Sequence, residues 1–527
     1  MDKITRRDFN KKLMMGIAGF SAVSSNIIFS AQSGFFAPSK DKRPNFVFIS
    51  SDQHNAKYLG FMGHPFVKTP NLDKIAERGI VFSNTYCGNP VCAPARSSMM
   101  TGMYASDVNS FCNSTVYDGS YPTWAKRLKD SGYYCWATGK QDLNPEVDMG
   151  FVEVDVDHGH SKKPDITSLL RRPCIYRVGE RETVDGKSRT SPSNDKVDAD
   201  LALNFLKNES GKLNKPWVCY VGFHMPHPKF VGWKKYYDYY LDKVEVPEVS
   251  IEELENLPLP YQELRNFKRI STPIPTDRIK RAIASYFAMI TELDDYIGQI
   301  YNALEETGQL DNTYFIYTSD HGEALGEHGL WLKDNLYDVA ARVPLVISGP
   351  GLKNSKRIQN PVGHIDLAAT ILELSGIKKI NELRGTSLLP LVNGEESKGP
   401  EFAYSESHPG GNPTGSCMIR KGDWKLIHFS YYEDMLFDMK NDPDEKNNLI
   451  NDPKFKEKAV EMRNLLYSKV NPEEITDRAF KRQDNMLNEF TEKMNEEELT
   501  ELFKSRLGEG QARVIARKLK KEYLVKN

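Results

Sequence analysis

The sequence predicts an α/β fold with buried parallel strands. Three apolar runs of strand length, at residues 45–50, 216–223 and 313–319, have the near-continuous hydrophobicity of strands that are covered on both faces. Each run stops at polar residues, and open α/β sheets build their sites beyond the carboxyl ends of such strands. The helical layer is clearest at residues 281–307, where apolar residues recur at three- and four-residue steps.

The composition is that of an ordinary globular protein. The chain has 527 residues, of which 39% are hydrophobic and 27% are charged, which is enough for one large domain or two to three smaller ones. Its formal net charge is -2, so nothing indicates a nucleic-acid binder. Seven cysteines do not make a disulfide scaffold in a chain of this length. We expect scattered buried thiols, although an exported protein could pair some of them and the sequence selects no pairing.

Residues 1–31 have the features of an export signal. Residues 5–9 read TRRDF and, with Lys11 and Lys12, resemble a twin-arginine signal. The apolar run at residues 13–29 contains several Ser and Asn residues, so it is weaker than a membrane span and suits the apolar region of a signal. Cleavage near Ala31 and an uncleaved anchor both remain open. We expect a periplasmic or secreted protein with no stable membrane span in the mature chain.

The other elements of the first part follow in chain order. Thr69 and Pro70 begin a short helix, because proline suits the first helical turn. Further apolar patterns predict two helices and two strands, at residues 121–130, 197–206, 132–138 and 343–347. Residues 145–195 are polar and rich in proline, glycine and charge, and we expect a long surface excursion that shapes the substrate cleft.

The pattern changes beyond about residue 394. Short strand-like runs occupy residues 416–420, 424–429 and 435–438. We therefore predict a catalytic domain at residues 44–394 and a smaller subdomain at residues 395–471. Residues 472–527 alternate Lys, Arg and Glu around sparse apolar residues, which indicates a charged tail of solvated helices.

The chemistry is concentrated in residues 91–102, which read VCAPARSSMMTG. Cys92, Pro94 and Arg96 form a C-x-P-x-R motif. Pro94 suits the first turn of a helix, so Cys92 would lie beside exposed backbone N–H groups that favour an anion. Arg96 adds a planar set of donors for sulfate or phosphate. Alone, the motif is equally compatible with a structural cysteine, and the partners described below decide against that interpretation.

This motif resembles the signature of the type I sulfatases, in which a separate maturation enzyme oxidises the cysteine to formylglycine. The resemblance extends from about residue 44 to residue 450 and includes the TPNLD segment at residues 69–73. It implies an alkaline-phosphatase-like fold, with a large mixed, mostly parallel sheet sandwiched by helices and a smaller C-terminal antiparallel sheet. It also implies a sulfuric ester hydrolase that depends on a formylglycine-generating enzyme.

The resemblance implies a divalent metal site as well. Asp52 with Gln53, and Asp320 with His321, match the two residue pairs that hold the metal in the family, next to Cys92. Oxygen ligands suit Ca²⁺, which is the expected ion, and the histidine leaves manganese open. Many members have an acidic residue at position 53 and Asn at position 321. The pairs found here also resemble those of phosphonate monoester hydrolases.

Four more positions match functional residues of the family. Lys140 and Lys333 match its sulfate-binding lysines, and His227 matches the histidine that protonates the leaving alcohol. His224 resembles a substrate-binding residue of iduronate sulfatase. The G-K-x-H motif that contains Lys140 departs from the family at Asp142, where a histidine is expected to bond the formylglycine hydrate. Asp142 could act as a base there, another histidine could replace it, or it could only cap the turn.

The implied mechanism is sulfate transfer to the formylglycine hydrate. The metal, Arg96, Lys140 and Lys333 neutralise the sulfate oxygens, and His227 or Lys333 protonates the leaving oxygen. The expected substrate is a sulfated glycan, with choline sulfate and aryl sulfates open. Two alternatives remain: a phosphonate monoester or phosphodiester hydrolase with the same nucleophile, and a non-catalytic glycan-binding homologue, which only Asp142 favours.

Overall fold

The computed structural model describes residues 43–161, 165–171, 179–352, 355–378 and 380–526, so the predicted export signal and Cys174 lie outside the described residues. The α-helices of these residues follow in chain order: α1 (Pro70–Glu77), α2 (Cys92–Thr101), α3 (Trp124–Asp130), α4 (Asp195–Asn204), α5 (Lys234–Leu241), α6 (Ile251–Glu255), α7 (Leu259–Phe267), α8 (Thr276–Glu306), α9 (Asp338–Ala341), α10 (Ile365–Leu374), α11 (Leu389–Val392), α12 (Lys456–Lys469), α13 (Pro472–Lys493), α14 (Glu496–Leu507) and α15 (Glu509–Lys526).

The strands of the described residues follow in the same order: β1 (Asn45–Asp52), β2 (Ile80–Phe82), β3 (Thr85–Tyr86), β4 (Tyr134–Lys140), β5 (Val152–Asp157), β6 (Lys187–Arg189), β7 (Trp217–Pro226), β8 (Val231–Trp233), β9 (Thr313–Ser319), β10 (Arg342–Val343), β11 (Leu345–Ser348), β12 (Lys356–Ile358), β13 (Val362–Gly363), β14 (Ala403–Ser407), β15 (Ser416–Lys421), β16 (Trp424–Phe429) and β17 (Met435–Asp438).

A central sheet of eight described strands has the order β12-β2-β11-β9-β1-β7-β4-β5. The strands from β9 to β5 in that order run parallel to one another. β11 is antiparallel to both of its neighbours, and β12 is parallel to β2. The sheet is therefore mixed and mostly parallel. Its parallel strands end at one edge, where β1, β4, β7 and β9 deliver their polar residues.

Both faces of this sheet are covered, as the apolar runs predict. Consecutive side chains of a strand point to opposite faces, and in β1 Val47 and Ile49 join one buried cluster while Phe46 and Phe48 join another. The first cluster contains the apolar stripe of α8, and the second contains residues of α2, α3 and α10. Residues 46–49 of β1 are all apolar because neither face of the strand meets water there.

Residues 145–195 are more than the predicted surface excursion. β5 lies in this segment and pairs in parallel with β4, so it forms one edge of the central sheet. Val152 and Glu153 are exposed, and no residue of β5 is fully buried. An edge strand of this kind carries no run of buried apolar residues, which is why the sequence did not reveal it.

The C-terminal sheet is antiparallel and has the order β14-β15-β16-β17. β15, β16 and β17 were predicted, whereas β14 was not. α12 packs on this sheet, with Met462 and Leu466 in one cluster with Leu426 and Leu436. The small antiparallel sheet with a helix agrees with the fold that the resemblance implied.

The charged tail is helical, as predicted, but it is not simply solvated. α14 and α15 bury Leu499, Phe503 and Ile515 against Ile166 and Phe267 of the main body. The sparse apolar residues of the tail therefore form one buried face. Because these apolar residues are widely spaced in a highly charged sequence, the composition of the tail does not reveal the buried face.

Two further expectations concern the described part of the chain. Its cysteines are buried and unpaired, which agrees with scattered thiols: Cys87, Cys92, Cys112, Cys135, Cys219 and Cys417. In the same residues, none of the helices has the length and the apolar composition that crossing a membrane would require.

Candidate active site

Cys92 is the first residue of α2 and is buried at the edge where the parallel strands end. Val91 precedes it in an extended conformation, and the backbone N–H of Ala95 donates to the carbonyl of Val91. The first turn of α2 therefore begins at Cys92, as the position of Pro94 predicts. A negative charge on residue 92 lies where the helix dipole and the free N–H groups stabilise it.

The structure brings the predicted site residues to the thiol of Cys92. Its Sγ lies 2.8 Å from Nζ of Lys333 and 3.7 Å from Nζ of Lys140. The same atom lies 3.3 Å from Nε2 of His321 and 3.8 Å from both carboxylate oxygens of Asp52. Five residues from five separate segments thus meet at one buried point, which the strand ends alone predicted only in outline.

Asp320 is held rigidly in this site. Its Oδ1 accepts hydrogen bonds from the backbone N–H groups of Gln53, at 3.0 Å, and His321, at 2.8 Å. Its Oδ2 accepts a hydrogen bond of 3.0 Å from Nε of Arg96. The other guanidinium nitrogens of Arg96 donate to protein oxygens of Lys140, Tyr220 and Ser51. Every nitrogen of Arg96 thus has a partner in the protein, and its guanidinium supplies countercharge to Asp320; the expected contact of Arg96 with sulfate stays a prediction.

His321 is oriented as a metal ligand would be. Its Nδ1 lies 3.0 Å from the carbonyl of Gly322, and a carbonyl only accepts, so Nδ1 carries the proton. The lone pair of Nε2 then faces Asp52 and Asp320, whose Oδ1 atoms lie 3.6 and 3.5 Å away. This hydrogen bond to a backbone carbonyl is the usual means of fixing the tautomer of a metal-binding histidine.

These residues fit a divalent cation. Ligand atoms of Asp52, Cys92, Asp320 and His321 lie within 4.8 Å of one another, and all four residues are buried. Gln53 adds an amide oxygen, Oε1, that is buried without a hydrogen-bond partner among the described residues, while its Nε2 donates to Glu323. A buried acceptor without a donor is costly unless a cation or water meets it.

The charges around Cys92 favour anions. Burial raises the pKa of the Cys92 thiol, but Lys140 and Lys333 together hold it well below its usual range. Burial and Cys92 raise the pKa of Asp52, and Lys140 is the first of the cations that lower it below its ordinary value. The pKa values of both lysines are raised, so both stay charged. The site therefore suits an anionic substrate group and a negatively charged nucleophile.

Asp142 faces this site and does not merely cap a turn. Its Oδ2 lies 3.1 Å from Nζ of Lys140, and its Oδ1 accepts a hydrogen bond of 3.1 Å from the backbone N–H of His160. A Cβ on Gly159 would lie 1.8 Å from Oδ1 of Asp142, so only glycine fits before His160. Asp142 thus fixes the position of the His160 backbone.

His160 is a candidate site residue that the sequence analysis missed. One of its ring nitrogens, Sγ of Cys92 and a carboxylate oxygen of Asp142 lie within 4.8 Å of one another. Burial lowers the pKa of His160, whereas Cys92 and Asp142 raise it, and the net change is upward. His160 lies in the polar segment 145–195, where a lone histidine gives no signal that distinguishes it from a surface residue.

His227 and His224 take different positions. His227 donates its Nδ1–H to the carbonyl of Pro228 at 2.6 Å and lines the same cavity as Lys333. Burial lowers the pKa of His227 to about 4. His224 lies instead in a neighbouring cavity of about 770 Å³, with Nε2 3.0 Å from Asp157 and Nδ1 3.4 Å from Asp195. Burial lowers the pKa of His224, but these two carboxylates raise it to about 10.

The cavity that contains Lys333 has a volume of about 260 Å³. Gln53, His227 and Lys333 form its inner wall, and Arg506 of α14 lines it as well. The tail of the chain therefore contributes to the cavity, which the sequence did not indicate.

Comparison with known proteins decides the family. The model of the family described as Sulfatase matches residues 44–377, more than half of the chain. The chain belongs to the sulfatase family. A second model, described as the C-terminal part of N-sulphoglucosamine sulphohydrolase, matches residues 326–472 of this sulfatase. Neither model extends into α13, α14 or α15 beyond residue 472.

Curated relatives carry names of sulfatases. Choline-sulfatase of Rhizobium meliloti (strain 1021) is 32% identical over 442 residues, which cover 78% of this chain and 83% of that relative. Arylsulfatase K of Homo sapiens is 30% identical over 456 residues, covering 82% of this chain and 83% of that relative. This sulfatase is accordingly a sulfuric ester hydrolase, and the alternative of a non-catalytic homologue is not supported.

Solved structures share its fold. The phosphonate monoester hydrolase of Agrobacterium radiobacter has a TM-score of 0.68 and 24% identity, over 81% of this chain and 95% of that one. A structure in complex with its substrate D-glucosamine-2-N,6-O-disulfate has a TM-score of 0.66 and 23% identity, over 84% and 99% of the two chains. The predicted alkaline-phosphatase-like fold is confirmed.

Proposed function

We propose that this sulfatase hydrolyses a sulfate ester of a glycan, with a nucleophile derived from Cys92 and a divalent cation, for which Ca²⁺ is the expected ion. The observation that carries the proposal is the position of the Cys92 Sγ, 2.8 Å from the Lys333 ammonium and 3.3 Å from Nε2 of His321. The reacting group thus lies between a cation that can bind sulfate and a cluster of metal-ligating side chains.

Two groups complete this site in the proposal. A formylglycine-generating enzyme would convert Cys92 to an aldehyde whose hydrate is the nucleophile, and the cation would supply a Lewis acid for the sulfate oxygens. Asp52, Gln53, Asp320 and His321 would hold that cation. The distances to Sγ given above describe the unconverted cysteine.

In this proposal the other side chains of the site bind sulfate, position its ligands and transfer protons. Lys140 and Lys333 bind and neutralise the sulfate oxygens, since their ammonium groups stay charged beside residue 92. Arg96 positions Asp320. Asp142 and His160 orient the hydroxyl groups on residue 92 and accept a proton from them. Two side chains can protonate the leaving oxygen: Lys333, whose ammonium stays charged, and His227, which must first bind a proton because burial lowers its pKa to about 4.

The glycan substrate is supported by a neighbour and by the cavity. One solved structure of the same fold contains a disulfated glucosamine. The cavity beside Lys333 has room for a sugar-sized group and is lined by polar and charged side chains. Choline sulfate is the second candidate, because a relative of 32% identity is a choline-sulfatase.

A second candidate activity is the hydrolysis of phosphonate monoesters. Gln53 and His321 at the metal pairs favour it, as does the fold shared with a phosphonate monoester hydrolase. Parallel assays of the purified enzyme on 4-nitrophenyl sulfate and 4-nitrophenyl phenylphosphonate test the proposal. We expect a higher kcat/KM for the sulfate. A higher kcat/KM for the phosphonate would reverse the assignment.

We also propose that residues 1–31 export the enzyme to the periplasm or beyond. The supporting feature is the arginine pair Arg6 and Arg7 ahead of the apolar run. Fractionation of cells should find the wild-type enzyme outside the cytoplasm. The double variant Arg6→Lys, Arg7→Lys should remain inside, and equal export of both proteins would exclude a twin-arginine signal.

A further inference from the structure

The C-terminal tail brings a cation to the substrate cavity. α14 and α15 are anchored by Leu499, Phe503 and Ile515, which are buried against the main body. The carbonyl of Arg506, near the end of α14, accepts a hydrogen bond of 2.9 Å from the backbone N–H of Gly179. Because its backbone is fixed at both of these contacts, Arg506 lines the cavity in a defined position.

The guanidinium group of Arg506 has N–H donors that no hydrogen bond uses within the described residues. It lies 3.6 Å from Oδ2 of Asp165 and 3.9 Å from Oε1 of Glu180, and both distances exceed a hydrogen bond. Within the described ranges, its side chain forms no hydrogen bond, and 42% of it is exposed. The two carboxylates orient the group and raise its pKa, Asp165 contributing most. Its planar set of N–H donors remains available for a carboxylate or sulfate.

Lys229 is a second cation of the same cavity with no protein partner among the described residues. It follows the catalytic candidate His227 by two positions and is exposed. Lys268, by contrast, is buried, lies 2.7 Å from Asp334 and donates to the carbonyl of Lys333, so its charge is neutralised within the protein. Lys229 and Arg506 are therefore the cations of this cavity, beyond Lys333, that can meet a ligand.

We propose that Arg506 and Lys229 form a subsite for a second anionic group of the substrate, either a carboxylate or a further sulfate. This inference rests on the proposed hydrolysis of sulfate esters and narrows its substrate to esters whose leaving alcohol is itself anionic. Arg506 lies outside both of the matched family models, so the C-terminal tail contributes this part of the subsite.

A cationic leaving group is the opposite possibility, and the neighbouring cavity could receive it. That cavity contains Asp155, Asp157, Asp195 and Asp198. Two of these carboxylates are already occupied by His224. Lys229 lines both cavities, whereas Arg506 and Lys333 line only the cavity beside Cys92, so the observations favour an anionic leaving group there.

Steady-state kinetics on matched esters test the subsite. The substrates are a sulfated disaccharide with a uronate carboxylate, the same disaccharide with that carboxylate as its methyl ester, a disulfated disaccharide, 4-nitrophenyl sulfate and choline sulfate. The variants are Arg506→Gln, Arg506→Lys and Lys229→Gln. Arg513→Gln is the control, because Arg513 lies on the same tail, pairs with Glu509 and does not line the cavity.

For Arg506→Gln we expect KM for the carboxylate or the disulfate to rise about tenfold more than KM for the methyl ester or 4-nitrophenyl sulfate. Whichever of the two anionic esters shows the larger rise in KM, the carboxylate or the disulfate, identifies the anionic group that Arg506 binds. Arg506→Lys should restore part of the loss, and Arg513→Gln should change no KM. A general structural defect would instead lower kcat on all esters equally.

Two results would overturn the subsite while the proposed function stands. One is an equal change of KM for charged and neutral esters in both Arg506→Gln and Lys229→Gln. The other is a preference of the wild-type enzyme for choline sulfate over every anionic ester. Absence of hydrolysis of any sulfate ester, with formylglycine verified at position 92, would overturn the proposed function itself and the subsite with it.

Discussion

The carboxylate of Asp142 accepts a hydrogen bond of 3.1 Å from the backbone N–H of His160, eighteen positions away in the sequence. In this arrangement a ring nitrogen of His160, Sγ of Cys92 and a carboxylate oxygen of Asp142 lie within 4.8 Å of one another. The departure at position 142 and the histidine at position 160 therefore belong to one arrangement. The carboxylate of Asp142 lies beside Lys140, where it can hold the His160 backbone and accept a proton from residue 92.

We predict that Asp142→Asn and His160→Gln each slow release of sulfate from the enzyme by about 10- to 100-fold. Both residues have polar atoms within 4.8 Å of the Cys92 Sγ, the group whose converted form carries the second half-reaction. Rapid-quench experiments with mass spectrometry should then trap a chain that carries an extra sulfate at residue 92. Because the two residues act together, the double variant should be little slower than either single variant. Normal turnover of Asp142→Asn, with no trapped sulfate, would reduce Asp142 to a structural role.

Cys92 should be formylglycine, in part or wholly, in enzyme made by its own host. The C-x-P-x-R motif at the start of α2 is the feature on which the maturation enzyme would act. Mass spectrometry of the peptide detects the change, since sulfur is lost and oxygen is gained. Cys87 and Cys112 are buried thiols that serve as unmodified internal controls. Fully active enzyme with an unmodified Cys92 would exclude the mechanism.

Removal of the metal by a chelator should abolish turnover and leave the enzyme folded. Arg96, Lys140 and Lys333 remain to balance the carboxylates of Asp52 and Asp320. Asp320→Asn should lose the metal and about a thousandfold in kcat/KM. Metal content by atomic spectroscopy and circular dichroism distinguish loss of the ion from loss of the fold. Near-normal activity and metal content in Asp320→Asn would show that the site is wrong.

The identity of the general acid can be read from the leaving group. If His227 supplies the proton, His227→Gln should lower kcat/KM for an alkyl sulfate about 100-fold. The same variant should affect 4-nitrophenyl sulfate much less, because nitrophenolate leaves without a proton. The measurement is the ratio of the two losses. An equal loss on both esters would transfer the acid role to Lys333.

Acid should destabilise the enzyme through the buried side chain of His364. Burial, aided by the charge of Arg96, lowers the pKa of His364 to about 3. Its Nε2 lies 3.1 Å from Oγ1 of Thr318, while its Nδ1 is buried without a partner among the described residues. The neutral form is thus stabilised in the folded state, and this contribution is present above pH 6.5 and lost as the pH falls towards 3. At pH 5 the loss is about 2 kcal/mol relative to pH 7.

Urea unfolding of the wild type and His364→Asn at both pH values measures this contribution. The variant should lose less stability on acidification than the wild type. His428 is a control of opposite sign: burial lowers its pKa, but Asp434 and Glu473 raise it above the usual value. Its contribution is present at low pH and is lost as the pH rises through the raised pKa, so His428→Gln should steepen the acid loss. Identical slopes for wild type and His364→Asn would contradict the assignment.

The sequence alone determined the frame of the site. Apolar runs that end in polar residues fix which strands are buried and at which edge their ends meet, because side chains that alternate between two dry faces must all be apolar. That rule was sufficient to expect Asp52 and Asp320 at one edge, whereas the C-x-P-x-R motif and its resemblance to the sulfatase signature placed Cys92 beside them and supplied the chemistry. The apolar runs and the C-x-P-x-R motif are local patterns, so they can be recognised in the sequence without knowledge of how the rest of the chain folds.

Only the tertiary structure decided the role of residues in polar segments. His160, Arg506 and the edge strand β5 lie in stretches whose composition is that of ordinary surface, so no periodicity or motif marks them. The oxygens that engage the guanidinium of Arg96 also come from four distant segments, which its motif does not reveal. A polar side chain acquires its function from the partners that folding brings to it, and those partners are separated from it by tens to hundreds of residues.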